Sequence, residues 1–451
     1  MNPAKPASEG IAARTAATAS AVPTRVGKYP IRCELGRGAS SHVYLGRDTF
    51  ANRDVAIKVL NKDPAASQPD RHRYGRMFLN EASLVGKLNH PNIIGIYDAG
   101  VEDDFSYIVM ELVNGGTLDP YCDVDALLPL ERVVEIGFKC GLALEFASRS
   151  GIIHRDIKPA NILVGDNGDI KVSDFGAALQ SNADLTQLKG VGSPLYMSPE
   201  QAQDLPLTHQ TDIYSLGVVM YRLLTGKPPF VASNNTSLLY QIVHLDAPAP
   251  GVHRPDLPTE LELIVMTAMA RDPGRRYRTW EEFCTALAGI NKALALPAAS
   301  ISDTEKYGAI KAVPFFRDFA HLDVWEMVRI AAFRRVPAGE ILVRQGQVCE
   351  SFFLIADGQA RVTAGGEVLS VLGDGDCFGE IPYFEDRGPR TSAVEAITPL
   401  TVIEVNAEAL KRSSDACQKQ FNRAFVRVLL DRIDRLSKLN AHLRQTLRGN
   451  G

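Results

Sequence analysis

Two short stretches constrain this chain more than any other feature: HRDIKPANILV at 154–164 and VSDFG at 172–176. Each sets charged or amide side chains into a brief loop beside an apolar run. Asp156, Lys158, Asn161 and Asp174 are the residues so placed. An ionic group next to a core persists only when it is paired or used. Carboxylate and amide oxygens suit magnesium, and an ammonium group suits a phosphate in transit. An aspartate in such a loop can accept a hydroxyl proton. Phosphoryl transfer needs these three parts and little else.

Upstream, LGRGASSHVYLG (35–46) opens an alternating apolar stretch with Gly36 and Gly38 two apart. Glycines let a backbone approach a phosphate because no Cβ intervenes. Turn glycines are common, so the pair alone is a weak signal. Val55-Ala56-Ile57-Lys58 then places one lysine inside an apolar strand. Such a lysine wants an anionic partner, and Glu81 in the following helical stretch can supply one. The plainer reading is a lysine at a strand edge.

Taken together, in this order, these motifs resemble those of eukaryotic-type (Hanks-type) bacterial Ser/Thr protein kinases, over about residues 29–290. The resemblance implies ATP as phosphate donor, Mg2+ as cofactor and proteins as substrates. It implies that Lys58 holds the α- and β-phosphates and pairs with Glu81. Asp156 would orient the substrate hydroxyl and accept its proton. Asn161 and Asp174 would bind the metal, and Lys158 would steady the γ-phosphate; the lysine form resembles Ser/Thr rather than Tyr kinases. Val43, Ala56 and Leu163 would enclose adenine, with Met110 behind it and backbone hydrogen bonds from Glu111 to Val113. Any one of these apolar residues also reads as ordinary core.

GSPLYMSPE (192–200) resembles the peptide-positioning loop, with Glu200 expected to pair with Arg276. TDIYSLG (211–217) resembles the helix that holds the catalytic loop through Asp212. Arg155 would face a phosphate on the activation segment, where Ser181, Thr186 and Ser193 carry hydroxyls and Thr186 is the favoured autophosphorylation site. One departure stands out: Ser41 replaces the third loop glycine.

From Val313 the texture changes to short apolar segments separated by glycines, the pattern of a compact β unit. A short helical stretch is expected around Val324–Phe333. In CFGEIPYFEDRGPRTSAV (377–394), Glu380 and Arg390 read either as a salt bridge or as a clamp for a ribose hydroxyl and a phosphate. The segment resembles a cyclic-nucleotide-binding domain. That resemblance implies a site of Gly379, Glu380, Arg390, Thr391 and Ser392, for cyclic AMP or cyclic GMP. Pro382 lacks an N–H that relatives offer there, and members of this fold also sense other ligands or none.

The expected fold class is α+β: a bilobal protein-kinase fold followed by a β-roll (jelly-roll) domain with a C-terminal helix. The expected divisions are a disordered tail at 1–26, a kinase domain at 27–294, a linker at 295–312, the nucleotide-binding-like domain at 313–425 and a helix at 426–451. That helix spaces Val426, Leu429, Ile433, Leu436, Asn440, Leu443 and Leu447 as a heptad seam. The seam suits a parallel homodimer, or else one face covers the β-roll. The linker holds no arginine-rich, substrate-like stretch.

A net charge of −4 argues against a nucleic-acid partner. Seven scattered cysteines without a CxxC pair fit a reducing compartment, and no apolar run reaches the ~18 residues that span a bilayer. A cytoplasmic location follows as the expectation. Two other readings stay open: an inactive scaffold that binds nucleotide, and a constitutive kinase whose C-terminal domain only dimerises or localises it.

Overall fold

The structure is a computed structural model that describes residues 22–38, 41–61, 78–79, 82–102, 105–166, 168–175, 194–290, 302–348, 351–379 and 389–449. Glu81, Thr186, Ser181, Ser193, Glu380 and Pro382 lie outside the described residues, as do the side chains of Leu436, Asn440, Leu443 and Leu447. The chain divides into two compact units, 1–294 and 295–451.

The first unit opens with an antiparallel sheet of β1 (Arg25–Val26), β2 (Tyr29–Arg37), β3 (Ser41–Asp48), β4 (Arg53–Asn61), β5 (Ile96–Val101) and β6 (Phe105–Glu111), in the order β1-β2-β3-β4-β6-β5. Side chains alternate between faces along a strand, which sorts this sheet cleanly. Tyr44, Val55, Ile57, Val59, Tyr107 and Val109 form a buried cluster on one face. Val43, Ala56, Lys58, Ile108 and Met110 take the other, because Lys58 pairs with Val43 and Ile108 while Ala56 pairs with Met110. The lysine is thus placed by register, one residue out of phase with the core. The sheet also begins earlier than the sequence suggests: Arg25–Val26 pairs with Tyr29–Pro30, and Val26 is buried. One apolar side chain is enough to draw this end of the presumed tail into the sheet.

A second sheet joins β7 (Gly115–Thr117), β8 (Ile162–Gly165) and β9 (Ile170–Val172). It rests on a helical core of α1 (Leu130–Arg149), α2 (Pro199–Ala202), α3 (His209–Thr225), α4 (Asn235–His244), α5 (Thr259–Ala268) and α6 (Trp280–Gly289). Close approach explains Gly137 and Gly141 of α1: a Cβ there would meet Met220 Sδ at 2.6 Å and Cys284 Sγ at 2.7 Å. The α3 helix starts at Thr208, whose hydroxyl accepts the Gln210 N–H, and stops at Gly226 in the left-handed region.

The second unit packs two four-stranded sheets. One has the order β10-β17-β12-β15, from Ala331–Val336, Leu400–Asn406, Ser351–Asp357 and Cys377–Phe378; the other is β11-β16-β13-β14, from Ile341–Val343, Ala393–Ala396, Ala360–Ala364 and Glu367–Leu372. Val343, Phe353, Ile355, Phe378, Val394 and Val402 are among the residues of its core. This is the expected β-roll.

Part of the stretch read as linker is structured. Residues Asp303–Ala312 form α7, with Tyr307 and Ile310 buried at three-residue spacing and Ser302 capping its start. The following α8 (His321–Ile330) ends three residues before Phe333, which belongs to a strand. After the short α9 (Ala407–Lys411), α10 (Asp415–Gly449) covers the roll with Cys417, Phe421, Ala424 and Phe425, all buried. Val426, Leu430 and Ile433 on the same helix are 53%, 60% and 59% exposed, so this first part of α10 has an unburied apolar stripe beside its buried one.

Candidate active site

The loop after α1 turns sharply because Arg155 adopts φ 66°. Such a conformation costs a non-glycine residue about 1–3 kcal/mol and persists only under surrounding restraint. Asp212 of α3 supplies part of that restraint. Its Oδ2 and Oδ1 accept the N–H groups of His154 and Arg155, each at 2.8 Å. His154 is fully buried; its Nε2 donates to the Ser173 carbonyl at 2.9 Å and its Nδ1 accepts the Asp156 N–H at 3.3 Å. These two bonds fix one neutral tautomer and tie the first loop to the second.

Asp156 follows with its side chain 39% exposed. Its Oδ2 accepts Lys158 Nζ at 2.7 Å and Asn161 Nδ2 at 3.0 Å. Because the Asn161 amide nitrogen is turned to Asp156, its Oδ1 is the end left for a cation. Ser173 grips the Asn161 carbonyl through both its N–H (2.8 Å) and its hydroxyl (3.0 Å). Asp174, also in the left-handed region at φ 62°, accepts Lys58 Nζ at 2.6 Å.

Burial pushes the Asp174 carboxyl upward, but the Lys58 ammonium overrides it and leaves the group below its ordinary value. A depressed carboxylate is fully ionised above that value and loses its charge as the pH falls through it. In Lys58→Met the main counterweight to burial is gone, only the weaker pull of His154 and Lys158 is left, and the carboxyl rises. The acid limb of magnesium-nucleotide binding, titrated with a fluorescent nucleotide, should therefore move to higher pH in the variant.

Asp156, Lys158, Asn161, Asp174 and Lys58 thus meet, as the sequence suggested. Oxygen donors from the Asn161 amide and the Asp174 carboxylate fit Mg2+, which needs few protein ligands and completes its shell with water and phosphate. Among the described residues no cluster of three or more His, Cys, Asp or Glu forms a self-sufficient metal cage.

At the glycine loop, the Gly38 N–H closes the turn on the Ser41 carbonyl at 2.7 Å. A Cβ on Gly36 would meet none of the described residues within 4 Å, so packing against them does not explain that glycine. Met110, Val43 and Leu163 are half-buried and Ala56 is 7% exposed. The Glu111 N–H is already spent on the Gly95 carbonyl at 2.8 Å, since β5 and β6 pair there, so Glu111 can offer a ligand only its carbonyl.

Below the loop, Arg276 engages all five of its donors. Two go to Glu200 (2.7 and 2.8 Å); the others go to the carbonyls of Ala270, Gln210 and Arg271. Thr211 adds a bond to the same Glu200 oxygen, and both ionic residues are buried. This is the expected structural pair. The contacts of His154 and Ser173 went unread in the sequence, since a bond to a backbone carbonyl leaves no residue-type signal.

The protein kinase domain family matches residues 29–285, more than half of the chain. The chain belongs to that family. The cyclic nucleotide-binding domain family matches residues 333–415. Similar curated proteins include the serine/threonine-protein kinase PrkC of Bacillus subtilis, 38% identical over 296 residues, covering 65% of this chain and 45% of that protein. The serine/threonine-protein kinase PknB of Mycolicibacterium smegmatis is 37% identical over 296 residues, covering 64% and 47%. The chain therefore spans less than half the length of these relatives. Among the described residues no helix is long and apolar enough to cross a membrane.

In the second unit, Arg390 does not point into open space. It is 4% exposed, and its guanidinium donates to the carbonyls of Gly379 (2.5 Å) and Ser351. Gly379 has φ +78°, and a Cβ on it would strike Arg390 Nη1 at 2.4 Å. Arg390 and Gly379 are thus brought together, while Thr391 is exposed and Ser392 half-buried.

Proposed function

We propose that this chain is an ATP- and magnesium-dependent protein Ser/Thr kinase, with a cyclic-nucleotide-type sensor as its second unit. The observation that carries the first part is the cluster of Asp156, Lys158 and Asn161 beside the Lys58–Asp174 pair. Asp156 holds the substrate hydroxyl and takes its proton as the hydroxyl oxygen bonds to the γ-phosphorus and ADP departs. Lys158 steadies the γ-phosphate, and Lys58 holds the α- and β-phosphates, with Glu81 as its family-type partner. Asn161 and Asp174 would hold magnesium, which neutralises phosphate charge when bound. Gly36 and Gly38 leave room for the phosphates. Val43, Ala56, Met110 and Leu163 enclose adenine, with the Glu111 carbonyl and the Val113 N–H reading its edge.

The test is labelled-phosphate transfer to a generic protein substrate, in which the wild type labels serine or threonine. No transfer with nucleotide bound would favour an inactive scaffold. Phosphopeptide mapping of active enzyme should find Thr186 modified; an unmodified Thr186 removes it as the activation site.

Gly379, Glu380, Arg390, Thr391 and Ser392 form the reading of the sensor site, with cyclic AMP or cyclic GMP as effector. Two of the five Arg390 donors are engaged by carbonyls, while its buried Nε has no partner among the described residues. Calorimetry with both nucleotides tests this, and absence of heat with either rejects it. The same engaged arginine favours a second reading, in which the domain only dimerises or localises a constitutive kinase. Activity with and without each nucleotide separates the two. Val426 and Ile433, two positions of the heptad seam, are exposed on α10, with Leu429 half-buried between them, and this supports the reading of a parallel homodimer through that helix. Sedimentation at micromolar concentration should give a dimer for the wild type and a monomer for Val426→Lys with Ile433→Lys; a monomeric wild type rejects the seam.

A further inference from the structure

The peptide that leads into Asp156 is pinned at both ends. Its N–H donates to His154 Nδ1 at 3.3 Å, and its carbonyl, that of Arg155, accepts Gln201 Nε2 at 2.8 Å. Gln201 lies 46 residues away in the sequence, in the one-turn helix α2. Its amide is aimed from that helix: Oε1 accepts the Ser198 N–H at 3.1 Å, while the Gln201 N–H donates to Ser198 Oγ at 3.3 Å.

Together these two bonds make a capping box, which needs only an acceptor on the third residue and accepts glutamate as readily as glutamine. The cap therefore does not explain why a glutamine stands here. The donor end does, because a carboxylate cannot donate to the Arg155 carbonyl. Arg155 is also the residue whose φ of 66° must be held from outside. Asp212 holds the N–H side of that residue, and Gln201 holds the carbonyl side.

We propose that Gln201 is a positioning residue for Asp156: its amide clamps the strained peptide that aims the carboxylate, through a bond separable from its role in capping α2. This deepens, and rests on, the reading of Asp156 as proton acceptor.

Gln201→Glu separates the two roles. The carboxylate keeps the acceptor for Ser198, so the melting temperature should not fall, and an anion near the start of a helix is favourable. The donor is lost, so kcat should fall roughly tenfold at neutral pH, the loss of one well-placed hydrogen bond. KM for ATP should hold. As the pH falls and the carboxyl takes up a proton, its O–H can again donate to the Arg155 carbonyl. The ratio of variant to wild-type kcat should then climb towards one, in this variant only. Gln201→Met, which removes both ends of the amide, should lose kcat at every pH and also lose thermal stability.

A Gln201→Glu enzyme with wild-type kcat would overturn the proposal, as would a deficit that does not shrink in acid or one that follows a fall in melting temperature. Failure to fold would count against it equally, because the cap keeps its acceptor. Asp156→Asn run in parallel isolates the underlying reading. Full transfer by Asp156→Asn removes that reading and the clamp with it, whereas an inactive Asp156→Asn beside an unimpaired Gln201→Glu removes the clamp alone.

Discussion

Changing Asp156 to asparagine should lower kcat for phosphate transfer by about two to four orders of magnitude, the usual worth of a positioned proton acceptor. The substitution is nearly isosteric. An amide oxygen can keep the bonds from Lys158 Nζ (2.7 Å) and Asn161 Nδ2 (3.0 Å), so the loop has no reason to rearrange. The second carboxylate oxygen becomes an NH2 group, which cannot take a proton from a hydroxyl. Nucleotide is held mainly by Lys58, the glycine loop and the adenine enclosure, and its affinity should stay close to that of the wild type. Steady-state kinetics with a separate nucleotide-binding titration distinguish these effects. A fall in affinity equal to the fall in kcat would move Asp156 from chemistry to binding.

Arg276→Met should produce the largest loss of stability, about 3–5 kcal/mol, because it leaves Glu200 charged, buried and without its counter-ion. Denaturant unfolding measures this directly. Replacing both partners by Glu200→Gln with Arg276→Met should cost less than Arg276→Met alone, since no uncompensated charge remains. The pH dependence should reverse sign. In the wild type, burial pushes Glu200 up, but Arg276 overrides it and holds the carboxyl below its ordinary value. That contribution is present above the unfolded value and is lost as the pH falls through the folded one. In Arg276→Met only the smaller lowering contacts, from the Thr211 hydroxyl and the Glu200 backbone N–H, are left against burial; the carboxyl should rise above its unfolded value, and acidification should restore stability by neutralising it. A variant that weakens in acid as the wild type does would refute this account of the pair.

The catalytic cluster was legible because its chemistry sits in side chains of distinctive type close together in sequence. Lys58 was legible for a related reason: strand alternation alone puts it on the face opposite Val55, Ile57 and Val59. What escaped were contacts to backbone. The Gln201 bond to the Arg155 carbonyl and the His154 bond to the Ser173 carbonyl depend on tertiary proximity and leave no local pattern. The helix Asp303–Ala312 hid in a polar segment because only Tyr307, Ile310 and Thr304 of its ten residues are buried, too few to announce a period. The β-roll was readable from its spaced glycines, but the inward turn of Arg390 was not. A phosphate clamp and a staple on two carbonyls use the same residue type, so the bonds from Arg390 to the Gly379 and Ser351 carbonyls had no sign in the sequence.

The most direct test of the central claim is phosphate transfer from labelled ATP to a generic protein substrate, by wild type and Asp156→Asn, with and without magnesium. The account predicts phosphoserine or phosphothreonine made by the wild type only when magnesium is present, and almost none made by the variant. Equal labelling by the two proteins would contradict it.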